Sequence, residues 1–188
     1  MVLELNLYAI EHVIVLSRPK HPTKVHVWAG ISKRGRTGIC IFEGIMKKEM
    51  FVSILEETLV PFIEAVYPDG HKLMMDNDPK HTSGYAAEWM SENAVNWWKT
   101  PAESPDLNPI ENIWHELKEY IRREVKPKVK EELIQGILRF WGTVDRAKCF
   151  KYNIEHLRKV IPRIRRSCYR LLVIFYVCIH VCMYVPIP

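Results

Sequence analysis

Two acidic residues stand where metal-dependent chemistry on phosphorus would need them. Asp76 directly follows the apolar run HKLMM (71–75) and opens the polar loop Asn77-Asp78-Pro79-Lys80-His81-Thr82. An acid at the C-terminal end of a strand faces the crevice where α/β sheets build their sites. Glu111 falls in the first turn of a helix that follows another strand, and 34 residues separate the two acids. That interval holds a helix, a strand and a loop, enough to fold back and bring two carboxylates together. Hard oxygen ligands of this kind suit Mg²⁺ or Mn²⁺. A pair of such ions can clamp the attacking and leaving oxygens of an in-line displacement.

Each of these residues also has a purely structural reading. Glu111, third after an Asn cap, is equally a capping-box acid that stabilises a helix start. Asp76 and Asp78 fit turn-forming acids whose side chains bond nearby amides. His81 is one of 8 histidines and suits a structural or solvated role as well as a ligand's. Trp97 and Trp98 sit within a strand and read as core residues, not as a base-stacking platform. The basic turn Lys33-Arg34-Gly35-Arg36 reads as a solvated hairpin tip.

The elements that must position the acids alternate along the chain. VHVWAGIS (25–32) and GICIFEG (38–44), joined by the basic turn, predict a hairpin. Phe51, Ile54, Leu55, Leu59, Phe62, Ile63 and Val66 recur at helical spacing. Pro61 is expected to kink or split that helix. A turn at 67–70, a short buried strand at 71–75, a helix around 82–92 and a strand at 95–100 follow. The helix from about 109 to 125 is the best specified: Asn108 caps it, Pro109 fits its first position, and Glu111 follows. Ile110, Ile113, Trp114, Leu117 and Ile121 form its buried stripe, with Glu111 on the side shared by His115 and Lys118. Further helices are expected at about 129–142 and 152–161.

Composition narrows the class. Apolar residues at 48% and charged residues at 26% support a folded core and exclude general disorder. Five cysteines, none in CxxC spacing, suggest neither a disulfide scaffold nor a zinc site. The formal charge is +5, yet residues 1–161 hold 23 of the 27 basic and all 22 acidic groups. The body is therefore nearly neutral, and any nucleic-acid surface must be a local patch. Candidates for backbone contacts are Lys33, Arg34 and Arg36, and Arg122, Arg123, Lys126, Lys128 and Lys130.

MDNDPKHTS (75–83) and SPDLNPIENIWHELK (104–118), with their 34-residue interval, resemble Tc/mariner-type DDE transposases. VHVWAGISKRGRTGICIFEG (25–44) and FVSILEETLVPFIE (51–64) are similar to the same family's hairpin and following helix. The resemblance covers about residues 18–161. It implies an α/β, RNase H-like mixed sheet flanked by helices. It also implies DNA cutting and joining with three acids and two divalent metals, Mg²⁺ or Mn²⁺. Asp76 matches the second catalytic, metal-binding acid and Glu111 the third. Asn77, Pro79 and His81 match positions beside the second acid; Pro105, Asp106, Asn108 and Pro109 match the turn presenting the third. Transposon ends and target DNA are the implied partners, a homodimer is compatible, and the nucleus is the implied location.

The departures matter as much. The family's first Asp lies on a first central strand ahead of the segment that begins at Arg18. The 17 residues before Arg18 contain no Asp, and Glu4 and Glu11 are the acids present there. The family's N-terminal helix-turn-helix region has no counterpart either. The expectation is a domain that keeps two of three metal ligands, lacks or replaces its first central strand, and is impaired or inactive in strand transfer. LELNLYAI (3–10) fits the vacant strand by pattern. A non-catalytic DNA-binding or interaction module is the alternative.

The chain thus divides into a non-family segment at 1–17, a truncated DDE domain at 18–161, and a basic then hydrophobic tail at 162–188. The 15-residue apolar run 171–185 would span about 22 Å as a helix, short of the roughly 30 Å hydrocarbon core. Membrane anchoring is therefore disfavoured against added sequence unrelated to the family. Its Val/Ile/Phe/Tyr content makes it an aggregation hazard if exposed.

Overall fold

The computed structural model describes residues 23–75, 78–99, 108–156, 158 and 181–185. The first strands form the expected hairpin: β1 (Thr23–Ser32) pairs antiparallel with β2 (Gly35–Phe42). Its loop is only Lys33-Arg34, and Gly35 takes φ +144°, a backbone region open to glycine. Arg36 consequently belongs to β2 and not to the tip.

Between Ala29 and Ile31 the register shifts, with one extra residue on β2. Thr37 fills that bulge: its hydroxyl accepts from the Gly30 amide at 2.8 Å, and its carbonyl accepts from Trp141 Nε1 at 3.1 Å. A bulge that breaks the ladder thus regains its hydrogen bonds from a side chain and a distant helix.

The period-2 alternation of β1 divides the interior. Val25, Val27, Ala29 and Ile31 face one core, and Trp28 faces the other. The first core is completed by α4 (Pro109–Tyr120), α5 (Lys130–Thr143) and α6 (Arg146–Phe150). There Trp114 and Trp141 stack with ring centres 5.8 Å apart. The second core holds α1 (Lys48–Ile54), β3 (Leu73–Met75) and α3 (Gly84–Glu92). Helices therefore cover both faces of the strands, the layered arrangement of an α/β domain.

The split at Pro61 is more gradual than the sequence suggests. A wide π-type turn over Leu55–Leu59 passes straight into α2 (Val60–Val66), with Pro61 in its first turn. Proline needs no amide donor there, so the helix continues without a break. Similar wide turns extend α4 over Ile121–Val125 and α6 over Lys151–His156. The last helical stretch begins several residues earlier than expected, because the Asp145 carboxylate accepts from the Lys148 amide at 2.8 Å and caps α6.

The strands form two ladders. β3 pairs parallel with β4 (Trp97–Lys99). β1 pairs antiparallel on its second edge with β5 (Val181–Val185), giving the order β2-β1-β5. Five residues of the hydrophobic tail are thus strand. Among the described residues no helix is long and apolar enough to cross a membrane. The segment at 1–17 lies outside the described residues.

Candidate metal and nucleic-acid site

β3 ends at Met75, fully buried beside β4, so the next position, 76, leaves the C-terminal end of a parallel strand pair. Asp76 and Asn77 lie outside the described residues, as do residues 100–107, with Pro105 and Asp106. From Asp78 to Ser83 the chain forms a hydrogen-bonded turn. The Asp78 carboxylate accepts from the Lys80 amide at 3.0 Å and pairs with the Lys80 ammonium. The Asp78 carbonyl accepts from the His81 amide at 3.0 Å, and Ser83 caps α3 through the Ala86 amide at 3.2 Å. Asp78 is thus the turn-forming acid of this loop. Burial pushes its carboxyl up, but the Lys80 contacts and nearby His81 hold it below the ordinary carboxylate value. His81 is fully buried against Phe51, with ring centres 4.3 Å apart.

Glu111 stands in the first turn of α4, half-buried. Buried Asn108 accepts from the Ile110 amide at 3.3 Å, and its Nδ2 lies 3.4 Å from Glu111 Oε1. The Asn-Pro start therefore sets where this carboxylate leaves the helix. Of the residues expected on its side, His115 is exposed, whereas Lys118 is buried at 9% exposure. Burial of a cation two turns beyond the acid was legible only as an i, i+7 spacing. Among the described residues no three His, Cys, Asp or Glu side chains are grouped to hold a metal ion. Glu111, as a carboxylate at a helix start, has the hard-oxygen donor chemistry that a divalent cation takes.

The basic candidates have different neighbourhoods. Arg34 donates to the Val66 carbonyl at 2.7 Å and lies over the Tyr67 ring at 4.6 Å, docking the hairpin tip onto the end of α2. Arg36 donates to the Val144 carbonyl at 2.7 Å and lies 5.5 Å from the Trp141 ring centre, joining β2 to the α5–α6 corner. Arg122 is forked onto Glu119 at 2.6 Å, and Arg123 reaches the same carboxylate at 2.9 Å. Lys130 pairs with Glu43. Lys126 ends the wide turn in a left-handed conformation, φ 47°. With Lys128 and Arg139 it lines an open groove of about 610 Å³ that also carries Glu131 and Glu132. Arg139 joins this group only through the packing of α5; no motif marks it in the sequence.

The family model described as DDE superfamily endonuclease matches residues 11–134. The chain is similar to the transposable element Tcb1 transposase of Caenorhabditis briggsae, with 38% identity over 98 residues, 52% of this chain and 36% of that protein. It is similar to the transposable element Tc1 transposase of Caenorhabditis elegans, with 34% identity over 94 residues, 50% of this chain and 34% of that protein. The chain spans about a third of the length of these curated relatives.

Among solved structures, the Mos1 transposase catalytic domain with Raltegravir and Mg gives a TM-score of 0.63 at 13% identity, covering 77% of this chain and 74% of that one. The Mos1 transposase paired-end complex with left transposon end gives 0.59, covering 93% and 54%. These likenesses establish the RNase H-like α/β fold. With the family match running through the hairpin, β3 and the start of α5, the chain belongs to the DDE superfamily endonucleases, among transposases of Tc/mariner type.

Proposed function

We propose that this chain is a transposase-derived DDE domain that binds DNA through its phosphate backbone and supplies the second and third metal-binding acids, Asp76 and Glu111. The observation that carries the reading is positional. Residue 76 follows the buried end of β3, and Glu111 is presented by a capped helix start, both within the family match. A bound Mg²⁺ or Mn²⁺ would polarise the phosphodiester and stabilise the leaving oxygen. Asp76 and Glu111 would anchor such an ion by carboxylate oxygens, and Asn108 would keep the second carboxylate at the helix mouth.

On their own, these 188 residues should run strand transfer at reduced power or not at all. Asp69 is the one Asp ahead of Asp76 in these 188 residues, and it sits in the turn before β3. Two close cations need several anionic oxygens to offset their repulsion and desolvation. With Asp76 and Glu111 as the only two ligands, strand transfer should be lower by about four orders of magnitude or more. The nucleus is the compartment in which such a DNA-binding product would act. A binding module with no metal site is the competing reading.

Mn²⁺ titration separates the two. The chain should bind Mn²⁺ measurably, and both Asp76→Ala and Glu111→Gln should weaken that binding. Equal affinity in the wild type and both variants would remove the residual metal site and leave the binding module. Strand transfer at the rate of a full-length relative would instead refute the impairment.

A further inference from the structure

We propose that Lys48 and Tyr85 form a stacking site for an unpaired nucleotide. Where α1 and α3 begin, two contacts follow one another across the helices. Phe51 packs on His81 with ring centres 4.3 Å apart, and Lys48 Nζ lies 5.5 Å from the centre of the Tyr85 ring. The first contact is sealed, because Phe51 and His81 are fully buried. The second stands one helical turn before Phe51 on α1 and is open to solvent. Tyr85 is 44% exposed, and the Lys48 side chain is 50% exposed.

The fold itself has little use for this pair. From Lys48, the positions three, four and seven residues on are Phe51, Val52 and Leu55, all buried. The outermost position of that stripe is thus a cation where an apolar residue would extend the core. Lys47 precedes it, exposed and making no side-chain cap, although a helix start favours an anion. On α3 the buried positions are Ala86 and Met90, which leaves Tyr85 outside the packed face. An exposed cation over an aromatic ring adds little to folding.

The pair does suit a flat, anionic partner. A nucleobase can stack on the Tyr85 ring while its phosphate meets Lys48, with Lys47 beside it. Glu49 lies 3.9 Å from Lys48, an exposed pair that solvent screens and a phosphate can displace. A duplex keeps its base faces inside its own stack, so the nucleotide must be unpaired. The site also borders the loop Asp78–Ser83, which Ser83 joins to α3. This inference rests on the proposed DNA binding but uses residues outside the basic groove at Lys126, so the two can fail separately.

Fluorescence anisotropy on the full chain, with a short oligothymidylate and a duplex of equal length over a salt series, tests it. Tyr85→Ala should weaken oligothymidylate binding about tenfold, leave duplex binding unchanged and leave the salt slope unaltered. Tyr85→Phe should bind as the wild type does. Lys48→Gln should reduce the slope for the single strand by about 0.7. Equal loss on both DNAs, or no loss on either, would overturn the stacking site while DNA binding stands. No binding of either DNA by the wild type would overturn both readings. Should Tyr85→Ala misfold, an unchanged slope in Lys48→Gln refutes the site by itself. A dimer that Tyr85→Ala dissociates, with oligothymidylate affinity intact, would make the surface a protein contact and refute it too.

Discussion

Gly136 leaves no room for a side chain. A Cβ there would lie 2.8 Å from Val125 Cγ1 and 2.9 Å from Ile121 Cδ1, where α5 crosses the wide turn after α4. Gly136→Ala should destabilise the fold by about 1–3 kcal/mol, read as a lower denaturation midpoint, although alanine favours a helix. A second residue-scale device joins α4 to the last helical stretch. Glu116 accepts from the Lys148 ammonium at 2.8 Å and from the Tyr152 hydroxyl. Burial raises Glu116, but Lys148 and Tyr152 hold it below its ordinary value of 4.5. Burial and the Glu116 carboxylate push Tyr152 up to about 12. The signs follow from linkage. The Glu116 contribution is present above its ordinary value and is lost as pH falls through the lower folded value. The Tyr152 contribution is present below 10 and is lost as pH rises from 10 to about 12. Thermal melting against pH should show both limbs, and Tyr152→Phe should shrink the alkaline one.

At the scale of the element, the start of α4 links stability to the candidate metal site. Asn108→Ala removes the cap on the Ile110 amide and should cost about 1 kcal/mol. It should also weaken Mn²⁺ binding, since Glu111 sits in the turn that the cap holds. Asn108→Asp restores a capping oxygen and should recover most of the stability. A calorimetric titration alongside a melting curve checks both effects; stability lost with Mn²⁺ affinity unchanged would separate the cap from the site.

For the whole molecule, the spread of basic residues decides how DNA is held. Arg36 is spent inside the fold on Val144 and Trp141, whereas Lys126 is exposed at a groove. Affinity for duplex DNA should fall steeply as salt rises, because backbone contacts release counterions. Lys126→Gln should reduce the slope of log affinity against log salt by about one and leave the melting temperature nearly unchanged. Arg36→Ala should do the reverse, lowering the melting temperature while the slope holds. Filter binding over a salt series, with melting curves of the same proteins, distinguishes them.

The family, the hairpin, the helix cap before Glu111 and the turn role available to Asp78 were all legible in the sequence, because each depends on neighbours a few residues apart. Alternation marks a strand, Asn-Pro starts a helix, and an Asp bonds the amide two residues on. Tertiary structure alone decided the rest. It placed Arg36 on a carbonyl 108 positions away, buried Lys118, and brought Arg139 beside Lys126. It also paired 181–185 with the second edge of β1. An apolar strand-forming segment carries no local mark of its partner. Only the folded chain brings it beside β1, because that pairing joins residues more than 150 positions apart.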